Sequence, residues 1–204
     1  MFSLALRVSA LGLALGLLAA PAPGADEPKP EEKKVDLRVG DTAPTFQLRD
    51  DRDKTWSSSD HYTKKWVVVY FYPGDFTPGC TAQAKAFAEA MEKLREKGVE
   101  VVGISGDSVK THELFKKAQK LNFTLLADED GSVAKLFGVP FDKGAKVKAK
   151  DADNRPIEFE RAGTAARWTF IVGKDGKIAY KNTKVAPAED AKKITEFITK
   201  AEEK

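Results

Sequence analysis

Cysteine is almost absent from this sequence: Cys80 is the only one in 204 residues. One cysteine allows no internal disulfide, so stability must come from packing, and the thiol itself is the residue to explain. Histidine is nearly as scarce. His61 and His112 stand far from each other and from Cys80, with no metal-site spacing. Both sit in polar surroundings and read as surface residues. No Gly-rich loop follows a strand to cradle a phosphate, so no nucleotide is implied, and no cofactor or metal is expected. Charge of one sign is also missing. The 34 basic and 31 acidic residues leave +3, which makes no case for nucleic acid as a partner. No internal repeat is found.

The lone thiol has an informative frame. Lys65-Trp66-Val67-Val68-Val69-Tyr70-Phe71-Tyr72 reads as a buried strand. After the turn Pro73-Gly74-Asp75-Phe76, Thr77 suits a helix N-cap and Pro78 the first helical position. Cys80 then falls near the third helical position, where unsatisfied N–H groups carry partial positive charge and favour thiolate over thiol. A free cysteine often only fills space in a core, but a core filler has no need of this strand-turn-helix frame.

The rest of the chain alternates strands and helices. A hairpin is expected from Thr45–Leu48 and Lys54–Trp56 around a charged turn. Ala84, Phe87, Met91 and Leu94 give the Cys80 helix an apolar face that ends at Gly98. Val99–Ser105 is a strand, and Asp107 or Ser108 caps a helix whose face is Leu114, Phe115, Ala118 and Leu121. Phe123–Leu126 is a short strand and Val133–Phe137 a short helix. Trp168–Val172 and Lys177–Lys181 form a hairpin, and Ala188–Lys200 is a closing helix with Ile194, Phe197 and Ile198 inward. The stretch from Val139 to Ala166 is long for a plain connection. Alternation at 145–150 and 157–160 predicts an extra surface hairpin, an edge ribbon whose lysines discourage pairing.

Pro73-x-x-x-Thr77-x-x-Cys80 resembles the active-site signature of peroxiredoxins, and the longer run Phe71–Thr81 resembles their Q-type group, also called bacterioferritin comigratory protein. A second match lies downstream. Arg167-Trp168-Thr169-Phe170-Ile171-Val172, followed by Asp175-Gly176-Lys177-Ile178, is similar to the strand that carries the family's active-site arginine. The resemblance implies an α/β, thioredoxin-like fold with peroxiredoxin insertions: a central mixed sheet with helices on both faces. It implies a thiol-dependent peroxidase acting on hydrogen peroxide and organic hydroperoxides. Cys80 is then the nucleophile that becomes a sulfenic acid. Arg167 lowers the thiol pKa and grips the peroxide with its fork of donors. Thr77 donates through its hydroxyl while capping the helix, Pro73 shields the sulfur from water, and the N–H groups of Gly79 and Cys80 add donors. Gln83, one turn on, is within hydrogen-bonding reach of the site but is not counted among its residues. The Q-type pattern often has a resolving cysteine five residues after the first; here that residue is Lys85. This is a one-cysteine version, and an external thiol such as thioredoxin or a low-molecular-weight thiol must reduce the sulfenic acid.

Residues 8–20 form an apolar run after Arg7, with small residues to Ala25. They read as a secretory signal peptide over 1–24, the alternative being an uncleaved membrane anchor, for which the run is short. A flexible linker over 25–38 and one peroxiredoxin domain over 39–204 follow. The expectation is an exported protein, periplasmic or extracellular, not inserted in a membrane after cleavage, and a monomer or homodimer. Two other functions compete. A disulfide carrier or copper-delivery protein of similar fold would want a second cysteine three or four residues from Cys80, where Thr77, Phe76, Gln83 and Ala84 stand. A non-enzymatic redox sensor or holdase would use the same thiol without turnover.

Overall fold

A computed structural model describes residues 35–203. The signal-peptide expectation, and the linker expectation up to residue 34, lie outside the described residues. Within them the chain runs β1 (Gln47–Asp50), β2 (Thr55–Ser57), β3 (Trp66–Phe71), α1 (Pro78–Glu96), β4 (Val99–Ser105), α2 (Val109–Gln119), β5 (Thr124–Ala127) and α3 (Ser132–Leu136). It continues through β6 (Phe141–Lys143), β7 (Lys146–Lys150), β8 (Pro156–Glu160), β9 (Gly163–Ala165), β10 (Trp168–Val172), β11 (Ile178–Asn182) and α4 (Asp190–Glu202). Among the described residues no helix is long and apolar enough to cross a membrane.

Seven strands form one mixed sheet in the order β11-β10-β3-β4-β5-β1-β2. β3, β4 and β5 are parallel, and the flanking strands pair antiparallel. Because strand side chains alternate, β3 serves two cores. Val67, Val69 and Phe71 join Phe137 just after α3, Phe170 and Trp56 on one face. Val68, Tyr70 and Tyr72 join Phe87 and Leu94 of α1, Phe115 of α2, and Ile194 and Ile198 of α4 on the other. Helices therefore cover both faces, which buries β3 from Val67 to Phe71 almost completely. A continuous apolar run in a central parallel strand is the consequence. Its C-terminal end delivers the chain to Tyr72 and the turn before α1.

The segment 139–166 is two short ribbons. β6 pairs with β9, and β7 pairs with β8. The expected hairpin is present, but it is not an edge of the seven-stranded sheet: β7 and β8 pair only with each other. β9 is pinned to the end of β4 by a bridge between Gly106 and Gly163. A Cβ on Gly106 would lie 2.3 Å from the Gly163 carbonyl oxygen, so this approach requires glycine. At the start of the described residues, Lys181 donates to Asp36 (2.9 Å) and to the Leu37 carbonyl (2.8 Å).

α2 departs from its expected face. Its buried residues are Thr111, His112 and Phe115, while Leu114 and Ala118 are half-buried. The sequence pattern undervalues His112 because its partner, Asp75, lies 37 residues earlier.

Phe170 is fully buried and meets Phe71, Phe137 and Trp168 at ring distances of 6.2, 5.2 and 6.2 Å. Phe170→Ala is expected to lower the unfolding free energy by about 3–5 kcal/mol in chemical denaturation. A loss below about 1 kcal/mol would mean that this face is not closely packed.

Candidate active site

The turn between β3 and α1 is built for close approach. Phe76 takes φ +62, in the left-handed region that is uncommon for a residue with a side chain. Its ring is held between Phe115 (5.1 Å) and Phe159 of the inserted ribbon (5.9 Å). Gly74 lies under Arg161; a Cβ there would sit 2.0 Å from the Arg161 Nε. Thr77 occupies the N-cap position of α1, followed by Pro78. Its carbonyl accepts from the Thr81 N–H (2.9 Å). Its hydroxyl does not cap the helix. It donates to the Gly74 carbonyl at 3.1 Å. The capping expectation for the side chain is corrected: in this turn the hydroxyl is committed to the Gly74 carbonyl instead.

Cys80 is the third residue of α1 and is 1% exposed. Its Sγ lies 3.2 Å from Nη2 of Arg167. Arg167 arrives from the residue just before β10, the neighbour of β3 in the sheet. The two sequence motifs, 87 residues apart, thus meet at one sulfur. Nη1 of Arg167 donates to Oε1 of Gln83, one helical turn beyond Cys80 on the same inward face. Gln83 is fully buried, and its Nε2 donates to Asp190 Oδ2 (2.8 Å). The sequence places Gln83 one turn after Cys80 without counting it as a site residue; the structure brings it into the site. Pro73 is half-buried at the start of the turn, and neither Pro73 nor Thr77 makes a polar contact with the sulfur among the hydrogen bonds of the described residues.

A second network holds the turn from beneath. Asp75 accepts from the Tyr72 hydroxyl (2.7 Å) and pairs with His112 Nδ1 (2.8 Å). Its backbone N–H donates to Asp107 Oδ2 (2.8 Å), which also accepts from Ser105. Arg161 donates through Nε to Asp107 (2.8 Å) and through Nη2 to the Asp75 carbonyl (2.7 Å). Asp75, Asp107 and His112 are fully buried and Arg161 nearly so. His112 is therefore not a surface residue, as its sequence context suggested. His61 is half-buried, stacked on Trp56 at 4.5 Å and bonded to Glu100 at 2.7 Å.

Burial works against a charge on His112, but the carboxylates of Asp75 and Asp107 outweigh it and raise the pKa above the ordinary 6.5. Burial, then the charge of Asp75, holds Asp107 above the usual carboxylate value, against the pull of Arg161. With His112 protonated, two carboxylates face two cations.

The chain matches the AhpC/TSA family over residues 39–181. It belongs to that family, as a one-cysteine member of its peroxiredoxin Q group. A putative chloroplastic peroxiredoxin Q of Oryza sativa subsp. indica is 52% identical over 141 residues, which is 69% of this chain and 57% of that protein. The putative peroxiredoxin bcp of Coxiella burnetii is 40% identical over 148 residues, 71% of this chain and 87% of that protein. Among solved structures, the peroxidoxin BcpB of Mycobacterium tuberculosis superposes with a TM-score of 0.67 at 26% identity, over 81% of this chain and 98% of that one. A bacterioferritin comigratory protein of Xanthomonas campestris, described for its alkyl peroxide reduction activity, gives a TM-score of 0.62 at 26% identity, over 78% of this chain and 92% of that one. The chain spans about half the length of the chloroplastic relatives it matches, 55% of the one from Sedum lineare. The expectation of export to the periplasm or the extracellular space is overturned by these relatives. The relatives from Sedum lineare, Oryza sativa and Populus jackii, at 52–53% identity, are named chloroplastic.

The raised pKa of His112 gives a signed prediction. Its stabilising contribution is complete below the unfolded value of 6.5 and is lost as pH rises through the higher folded value. As pH rises above 6.5, unfolding free energy should therefore fall more steeply in wild type than in His112→Gln. Equal slopes would contradict a protonated His112 in the folded protein.

Proposed function

We propose that the protein is a thiol-dependent peroxidase that reduces hydrogen peroxide and organic hydroperoxides through Cys80. The observation that carries this reading is the 3.2 Å contact of the Arg167 guanidinium with Sγ at the first turn of α1. A cation at that distance and a helix N-terminus both stabilise negative charge on sulfur. The thiolate attacks one peroxide oxygen, the O–O bond breaks, and the second oxygen leaves as hydroxide or alkoxide and takes a proton. Cys80 is left as sulfenic acid. Arg167 stabilises charge on the leaving oxygen as it develops. The N–H groups of Gly79 and Cys80, in the first turn where no intrahelical acceptor exists, supply further donors. The Thr77 hydrogen is engaged by Gly74, so its oxygen acts as acceptor for a peroxide O–H. Pro73, with no N–H, closes the near side of the site against water.

The cycle closes outside the chain. Lys85 stands exposed on α1 where the Q-type pattern often has its resolving cysteine. A thiol condenses with the sulfenic acid, releasing water and leaving a mixed disulfide. A second thiol then frees Cys80 and departs as the disulfide. Thioredoxin or a low-molecular-weight thiol fits that role, and the unit that does this is a monomer or homodimer. A redox sensor or holdase would react once and not turn over.

Peroxide consumption with dithiothreitol, thioredoxin or glutathione tests the reading. Turnover is expected with at least one, to be abolished in Cys80→Ser, and to fall about 100-fold in Arg167→Lys, which keeps the charge but not the planar fork. Wild-type rates in Arg167→Lys would overturn the arginine's role. Lys85→Cys should acquire an internal disulfide between Cys80 and the introduced thiol, seen by mass spectrometry, and resist overoxidation. Residues five apart on a helix do not share a face, so forming that bond must open the first turns of α1. If this variant overoxidises as fast as wild type, α1 does not open.

A further inference from the structure

We propose that Asp190, the first residue of α4, is a positioning residue for Cys80 chemistry, acting through Gln83 on Arg167. The inference rests on the peroxidase reading for its rate measurement, but not for its thiol measurement.

The side-chain amide of glutamine has nearly the same shape after a half-turn, which exchanges donor and acceptor. Its partners alone decide which end faces which way. Arg167 can only donate, so it needs the carbonyl oxygen of Gln83. The opposite end must then find an acceptor in a place with no solvent, since Gln83 is fully buried. Asp190 Oδ2 is that acceptor, at 2.8 Å. The same oxygen accepts from the Thr169 hydroxyl at 2.7 Å. Thr169 lies two residues after Arg167 and therefore on the same face of the strand. Three elements meet at one carboxylate oxygen: α1 through Gln83, β10 through Thr169, and α4 through Asp190 itself.

An aspartate in the first turn of a helix ordinarily stabilises the helix end from the surface. Asp190 does not do this. It is 1% exposed, and among the described residues it accepts from no backbone N–H of its own helix and its second oxygen, Oδ1, is buried with no partner. A buried carboxylate with one oxygen unsatisfied is costly to keep, and what it secures is the direction of the Gln83 amide. Fixing the Gln83 oxygen toward Nη1 leaves Nη2 of the same planar guanidinium against Sγ. Without Asp190 the amide is free to turn its NH2 toward Arg167, and the guanidinium loses its fixed bearing on the sulfur.

The test compares full-length wild type with Asp190→Ala, Asp190→Asn, Gln83→Met and the double variant Gln83→Met/Asp190→Ala. Three quantities are read: the single-turnover rate with hydrogen peroxide, the pH profile of Cys80 alkylation by iodoacetamide, and the melting temperature. In Asp190→Ala the peroxide rate should fall by roughly tenfold or more, as for a misplaced catalytic group, and the alkylation profile should move to higher pH. Asp190→Asn keeps an acceptor oxygen toward Gln83. It should recover the rate to within about threefold of wild type, although its melting temperature falls because an NH2 group replaces the unpartnered Oδ1. A purely structural role would instead make rate follow stability. The double variant should be no slower than Gln83→Met alone, since Asp190 acts only through that amide. A wild-type alkylation profile in Asp190→Ala, or additive losses in the double variant, would overturn the proposal. Should Asp190→Ala not fold, Asp190→Asn decides: a profile displaced as far as in Gln83→Met would overturn it. If wild type itself fails to react with peroxide, the peroxidase reading falls, while the alkylation profiles still report whether Asp190 sets Arg167 against the sulfur.

Discussion

A guanidinium held against a sulfur is the interaction on which this structure turns. Neither partner can be placed locally. Cys80 stands in the first turn of α1, and Arg167 comes from the far end of the chain. Only the antiparallel pairing of β10 with β3 brings the two strand ends together. That pairing lies inside the sheet, where helices bury both faces of β3. The core therefore does more than supply stability. It fixes the distance between two groups that must be right to a fraction of an ångström for the chemistry to proceed.

The turn that carries Cys80 contains a residue at positive φ and a glycine pressed against an arginine. Such a turn persists only when its surroundings determine it. Here the surroundings are Asp75, Asp107, His112, Tyr72 and Arg161, buried together. Removing one member of a buried ion pair typically costs about 3–5 kcal/mol, because the other charge is stranded. The network thus makes the turn hard to deform. It also gives the 139–166 insertion a structural purpose: Arg161, just after β8, reaches into the base of the turn, and Phe159 covers Phe76 from outside.

Much of this was legible in the sequence because it is written in local patterns. The apolar run of β3, the Thr-Pro start of α1 and the face of Ala84, Phe87, Met91 and Leu94 are short-range signals, and the structure agrees with them. The pairing of Arg167 with Cys80 was legible only by resemblance to a family, since no periodicity relates residues 87 apart. What stayed hidden is the polar interior. His112 and Asp75 each look like surface residues until the fold buries them as a pair. Gln83 stands one turn after Cys80, but nothing local shows that it joins Arg167 to Asp190. The Thr77 hydroxyl illustrates the same limit: its residue type predicts a cap, but the geometry of the turn offers it a carbonyl first.

The central claim is that this site makes Cys80 far more reactive toward peroxide than a free thiol. A competition experiment tests it most directly. Less than one equivalent of hydrogen peroxide is added to the reduced protein in a large excess of N-acetylcysteine, the mixture is quenched in acid within seconds, and oxidised Cys80 is measured by mass spectrometry as its sulfenic acid together with the mixed disulfide that this acid forms with N-acetylcysteine. The account predicts that Cys80 captures most of the peroxide despite being outnumbered. Oxidation shared in proportion to thiol concentration would contradict it.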